Sequence, residues 1–150
     1  LSPIRIEKSI LRPYVKGKDV EKWRMRRLGL YIIYPYGLKK GKTTIFSEAE
    51  LKSKYPYTYQ YLQNHKNTLE NRKDSRGTMK EFGRVWYSWV RLGDPEIYKS
   101  TKILSPYLTD KCKFALDSAK TEIPLAYASS VYGIVSEEID LRILLGLLHF

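Results

Sequence analysis

Apolar and polar positions alternate along this chain at spacings that mark out its elements. In "KYPYTYQYLQNHKNTLENRKD" Tyr55, Tyr59, Leu62 and Leu69 recur with charges between them, which predicts a helix. Pro56 fits the first turn of that helix rather than its interior. Just upstream, "SEAE" at 47–50 matches a capping box, so another helix is expected to start there. The run "LGLYIIYPY" is β-branched and aromatic between Gly and Pro boundaries, and predicts a buried strand over residues 30–34.

The remaining stretches are shorter. "IEKSILRP" reads as a short helix or strand ended by Pro13. "YGLKKGKTT" reads as an exposed turn, and "SRGTMKEFGR" at 75–84, with no usable period, as a mobile basic loop. After "VWYSWV" and a turn at "GDPE" come three short strands, "TKILSPYL", "KFALD" and "SSVYGIV". "SEEIDLRILLGLLHF" has a cap signal at Ser136 and continues as a helix apolar on most faces, which other protein must cover. The pattern predicts an α+β fold: a small mixed β-region, a central helical segment and a C-terminal apolar helix. At 150 residues with 43% hydrophobic content, one cored domain is expected over 1–150. No repeat of 20–50 residues and no low-complexity segment is visible.

Charge changes the picture. The formal net charge of +11 points to a polyanionic partner, nucleic acid before anionic membrane. Residues 1–91 carry 21 Lys and Arg against 8 Asp and Glu, net +13, whereas residues 92–150 carry 6 against 8, net −2. Thirteen tyrosines and three tryptophans are interleaved with the charge, and such rings either stack on bases or pack as core. The single Cys112 excludes an internal disulfide and a thiolate metal site. No signal-like leader or membrane-length apolar run is seen, so a cytoplasmic protein is expected. Leu1 in first place and an apolar last stretch suggest a piece of a longer parent.

No catalytic constellation emerges. "YVKGKDV" has one glycine and an aspartate where a phosphate-binding loop needs a hydroxyl, and "YGLKKGKTT" lacks the glycine spacing. His65 and His149 have no carboxylate or cysteine at ligand spacing, and Cys112 sits in a strand-like context that favours an inert thiol. Asp117 with "KTE" at 120–122 is the nearest imitation of a magnesium-nuclease site, but its lysine precedes its glutamate. A binding module is expected, with no catalytic or metal-ligating residue in this chain.

The ordered succession "ILRPYVKGKDVEKW", "YIIYPY", Leu69 to Arg72, "WYSW", "TKIL", "FALD", "VYGIV" and "LLGLLHF" resembles the TaqI-like C-terminal specificity domain. That domain is the target recognition domain of adenine-specific DNA methyltransferases and of type IIG restriction-modification enzymes. The resemblance spans roughly residues 7–150. Ser88 and Trp89 stand where the family often has Glu-Leu, and His149 where it commonly has Asn. The resemblance implies a parent whose separate methyltransferase domain binds S-adenosylmethionine and receives a flipped adenine, with Mg if an endonuclease is fused. This chain would hold no cofactor and would supply the choice of duplex DNA sequence. "YPY" at 34–36 and 55–57 lacks the amide that grips an adenine amine, and is structural.

A domain of this kind needs cations for phosphates and longer side chains for base edges. The expected backbone contacts are Lys16, Lys18, Arg24, Arg26, Arg27, Lys39, Lys40 and Lys42, with Lys102 added because it matches a lysine recurring in the family pattern. The expected reader is the loop at 72–91: Arg72, Arg76, Lys80, Arg84 and Arg91 beside Trp86, Tyr87 and Trp89. In "RPYVKGKDVEKW", Gly17 is expected to take a backbone conformation other residues avoid, Asp19 to cap "VEKW", and the turn to aim Lys16 and Lys18 outward. The rival readings are an RNA- or single-strand-binding module, in which the aromatics stack on bases, and a small stand-alone nuclease or nucleotide-dependent transferase.

Overall fold

A computed structural model describes residues 3–26, 29–74, 77–118, 126–127 and 130–150. In chain order its elements are β1 (Leu11–Val15), β2 (Tyr31–Ile33), β3 (Tyr36–Lys39), β4 (Lys42–Ile45), α1 (Glu48–Lys54), α2 (Pro56–Asn64), α3 (Lys66–Glu70), β5 (Lys73–Asp74), β6 (Gly77–Thr78), α4 (Pro95–Lys99), β7 (Lys102–Pro106), β8 (Ala115–Asp117), β9 (Ala126–Tyr127), β10 (Val131–Ile134) and α5 (Leu141–Leu147). The arrangement is mixed α+β, as the apolar pattern predicts. The chain forms two compact units: Leu1–Leu11 with Ile33–Leu92, and Arg12–Ile32 with Gly93–Phe150.

The first unit holds the central helices. Ser47 and Glu50 form the predicted capping box, with Glu50 N donating to Ser47 Oγ and Ser47 N donating to the Glu50 carboxylate. Pro56 opens α2 at its first position, where no intrahelical N–H is needed. Ile10, Phe46, Leu51, Leu62, Trp86 and Tyr87 form the core these helices cover. The lysine-rich turn is wound into a two-stranded hairpin, β3 against β4, with Lys39 opposite Lys42. Its two loop residues, Lys40 and Gly41, both have positive φ (49° and 76°), the geometry that matches the twist of paired strands. Part of the basic 75–84 stretch pairs as the short β5–β6 ladder, with Lys73 opposite Thr78.

The second unit holds the three strands expected late in the chain, as an antiparallel sheet in the order β10-β7-β8. Val15, Val20, Leu104, Ala115 and Val131 pack together there, and Ile103 packs with Leu141 and Leu145 of α5. A second sheet has the order β2-β1-β9, with Tyr14 and Val15 parallel to Ala126 and Tyr127.

Several local expectations are corrected. Pro13 does not end the first element but lies inside β1, because pairing with β9 begins only at Tyr14 and no amide is required at position 13. The strand expected at 30–34 is shorter, and Tyr31 is exposed rather than buried. "GDPE" is not a turn alone, since Pro95 is the first residue of α4. Ser136 caps a turn by accepting from Glu138 N and Ile139 N, and α5 starts later behind Asp140, which accepts from Arg142 N. That helix is not covered on most faces among the described residues, for Ile143 and Leu147 face solvent. Cys112 is exposed rather than held in a strand.

Candidate nucleic-acid interface

The turn at 16–19 is a single 3-10 turn. Gly17 is there for space, not for an unusual backbone angle: a Cβ on it would lie 2.7 Å from Ser130 O. Gly17 N donates to Ser130 Oγ at 3.1 Å, and Asp19, nearly fully buried, turns back to accept from Lys16 N at 2.9 Å rather than capping "VEKW". Lys16 and Lys18 are exposed, as the turn predicts. Further along, the exposed Arg24 and Arg26 converge on Glu21, Arg24 Nε at 2.6 Å from its Oε2 and Arg26 Nε against its Oε1. The two arginines hold that carboxyl below its ordinary range through hydrogen bonds. Arg27 lies outside the described residues.

On the first unit, Lys39, Lys40 and Lys42 are all exposed around the β3–β4 turn. Lys39 Nζ sits 2.7 Å from Glu50 Oε1, and this contact, followed by the bonds from Ser47, lowers the Glu50 carboxyl from 4.5 to about 2. Lys39, Lys80 and Arg84 line one groove of about 590 Å³ together with Phe46, Trp86, Tyr87, Glu48 and Glu70. Lys80, Arg84 and Arg91 are the exposed members of the expected reader. Arg84 donates from Nη1 to Val90 O at 3.0 Å, and its guanidinium lies over the Phe82 ring. Arg76 lies outside the described residues.

The rest of the expected reader is interior. Arg72 donates from Nε to Leu69 O and from Nη2 to both Trp86 O and Ser88 O, at 2.8–3.0 Å. Half-buried and committed to three carbonyls, it ties the end of α3 to the 86–88 segment instead of reaching for bases. Trp86 and Tyr87 are buried in the core, in T-shaped contact with each other. The Tyr87 hydroxyl donates to Phe46 O at 2.7 Å, and burial, then the nearby Glu48 and Glu50 charges, push it up to about 12. Trp89 Nε1 donates to Ile33 O at 2.9 Å, and its amide donates to Tyr36 Oη at 2.8 Å. These rings are packing: the Tyr87 hydroxyl and the Trp89 indole N–H already have backbone partners, and Trp86 is buried in the core.

Lys102 is the clearest correction. Its side chain is 0% exposed, with Nζ 2.7 Å from Asp117 Oδ2 and donating to Tyr98 O and Ser100 O. It cannot meet a phosphate from there. The same contact accounts for Asp117, the carboxylate that imitated a nuclease ligand; positions 120–122 lie outside the described residues. His149 Nε2 is 2.9 Å from Phe114 O, which marks it as the protonated nitrogen, and its ring packs on Trp23 with centroids 4.1 Å apart. His65 packs on Tyr61. Among the described residues no cluster of three or more His, Cys, Asp or Glu side chains is arranged to hold a metal ion, and no helix is long and apolar enough to cross a membrane.

Residues not anticipated complete the picture. Tyr107, Leu108 and Tyr132 are large, apolar and exposed, and Tyr107 and Leu108 share a cleft with Lys113. Their signal was present: Pro106 ends β7, so the "YL" after it belongs to a surface loop and not to the strand.

The acids of the basic stretch explain its surface. Glu7 accepts from Tyr57 N, Thr58 N and the Thr58 hydroxyl, whose hydrogen bonds outweigh burial and lower its carboxyl. Asp19 is spent on Lys16 N, Glu21 on two arginines, Glu50 on Lys39 and Ser47, and Glu81 on Thr78. Glu48 accepts from the Tyr59 hydroxyl, and Glu70 lies 3.7 Å from Lys66. By contrast, Lys16, Lys18, Lys40, Lys42, Lys80 and Arg91 are exposed and make no ion pair among the described residues. These seven acids are engaged in local contacts, while the six cations face outward. No protein-family model matches the chain.

Proposed function

We propose that this chain is a target recognition domain that binds duplex DNA and supplies sequence choice to a restriction-modification adenine methyltransferase or endonuclease, without chemistry of its own. One observation carries the DNA-binding part: seven acids of the basic stretch are engaged locally, while six cations face solvent without an acidic partner among the described residues. Such a surface attracts a polyanion through counterion release. Lys16, Lys18, Arg24, Arg26, Lys40 and Lys42 are the phosphate contacts in this reading, with Lys39 joining them when it leaves Glu50. Lys80, Arg84 and Arg91 are the base-reading candidates. The link to a methyltransferase domain of the same parent, binding S-adenosylmethionine, and to Mg where a nuclease is fused, rests on the order of sequence motifs. A cytoplasmic site of action goes with that reading.

Fluorescence anisotropy on labelled 25-base-pair duplexes across a salt series tests it. Binding on the order of micromolar at low salt, with log K falling steeply against log salt, is the expected result. Absence of binding at low salt, salt-independent binding, or a clear preference for single-stranded RNA overturns it, and cleavage of the duplex on adding magnesium overturns the assignment of a binding-only role.

A further inference from the structure

In the second unit the residues after β7 leave the sheet at Tyr107 and do not return until Ala115. Tyr107 N donates to Ser130 O at 2.8 Å, and the Ser130 hydroxyl accepts from Gly17 N at 3.1 Å. Ser130 therefore clasps the lysine turn to the root of this loop. With no room for a Cβ at Gly17, the two backbones come close enough for Lys16, Lys18, Lys113, Pro106, Tyr107 and Leu108 to line one shallow cleft of about 480 Å³. Leu108 projects from its edge, 82% exposed, and Tyr107 rests against Tyr132 of β10 with ring centroids 5.3 Å apart.

The chemistry of this corner is unusual for a surface. A bare leucine stands among three lysines, and among the described residues their only ion pair is Lys113 with Asp110 at 4.0 Å. The nearby Asp19 is buried and turned inward. An apolar protein partner would leave the lysines unmatched, and a simple anion would leave the leucine in water. Duplex DNA answers both, since its phosphates match the lysines and its stacked bases offer an apolar interior that Leu, Ile or Phe wedges enter from a groove. Single strands are favoured less: the two tyrosine rings tilt 45° to one another and pack together instead of offering open faces for successive bases.

We propose that this corner is a DNA-deforming contact, in which Leu108 enters a groove and unstacks a base step while Lys16, Lys18 and Lys113 hold the flanking phosphates. The proposal rests on the duplex-DNA reading above, and adds the prediction that the bound DNA is bent.

Two position-independent measurements on the whole chain test it. The first uses a 30-base-pair duplex labelled at both ends for energy transfer. Binding is expected to raise transfer; Leu108→Ala is expected to abolish most of that rise, and K16Q/K18Q to reduce the salt slope by about 2. The second uses Cys112, exposed and the only cysteine, as a footprint in the same loop. Duplex DNA is expected to slow its reaction with a thiol reagent about tenfold or more, and this needs no variant. Bending unchanged in Leu108→Ala, a salt slope unchanged in K16Q/K18Q, or unprotected Cys112 would each overturn this assignment while leaving duplex binding intact. Tighter binding of oligo-dT than of duplex overturns it in favour of a stacking surface. Failure of all duplex binding removes the parent reading as well.

Discussion

Charge at single residues here is decided by what each side chain can reach. Lys102 and Lys42 are the same residue type in the same chain, yet one is sealed against Asp117 and two carbonyls and the other faces water. Removing one partner of a buried pair strands the other charge, a loss of about 3–5 kcal/mol. Lys102→Met is therefore expected to lower stability by about that amount in urea denaturation while leaving the salt slope of DNA binding unchanged. Loss of slope without loss of stability would return Lys102 to the surface. Sequence position alone does not separate these lysines, because a lysine before a strand reads identically whether its partner is a phosphate or an aspartate fifteen residues on.

At the scale of elements, the local signals were legible and the long-range ones were not. The Ser47–Glu50 box and Pro56 specify their helices through groups within four residues, so α1 and α2 start where the pattern predicts, although the helix expected through Leu69 breaks at His65 into α2 and α3. The β7, β8 and β10 strands follow from their apolar runs. Arg72 and Trp89 read as surface contacts in the sequence because what satisfies them lies 14 to 56 residues away, at Trp86 O, Ser88 O and Ile33 O. The Gly17 turn is legible in the sequence but its reason is not, since that reason is Ser130, 113 residues on. One element-level prediction follows from Glu50, which fastens the β3–β4 turn to the start of α1. Its folded carboxyl is lowered from 4.5 to about 2, chiefly by Lys39. A depressed carboxyl stabilises the fold fully above the unfolded value and loses that contribution as pH falls through the folded one. Between pH 4.5 and about 2 the clamp is expected to loosen, with the Glu50 carboxyl titrating near 2 by NMR; Glu50→Gln should remove this component of acid sensitivity. A titration midpoint near the ordinary value would show the clamp is not formed in solution.

For the whole molecule, the proposed DNA reading, with its outward-facing cations and locally engaged acids, sets the expectation that association is steered by charge and weakens sharply with salt. The chain reaches its final arrangement by passing between the two units at residues 11–12, 32–33 and 92–93. Neither unit is one continuous stretch, which length and composition could not reveal. The second unit is built from Arg12–Ile32 and Gly93–Phe150, with Val15 and Val20 of the first segment in one core with Leu104, Ala115 and Val131 of the second. A break in the chain between Leu92 and Gly93 would leave that core intact. Residues 1–92 and 93–150, made as separate polypeptides, should find each other and co-purify as one particle, and Val15→Asp should prevent it. Two halves that elute apart without that substitution would contradict the shared core. The molecule is thus stitched rather than strung, and a protease that nicks this crossing would leave an assembled particle instead of two released pieces.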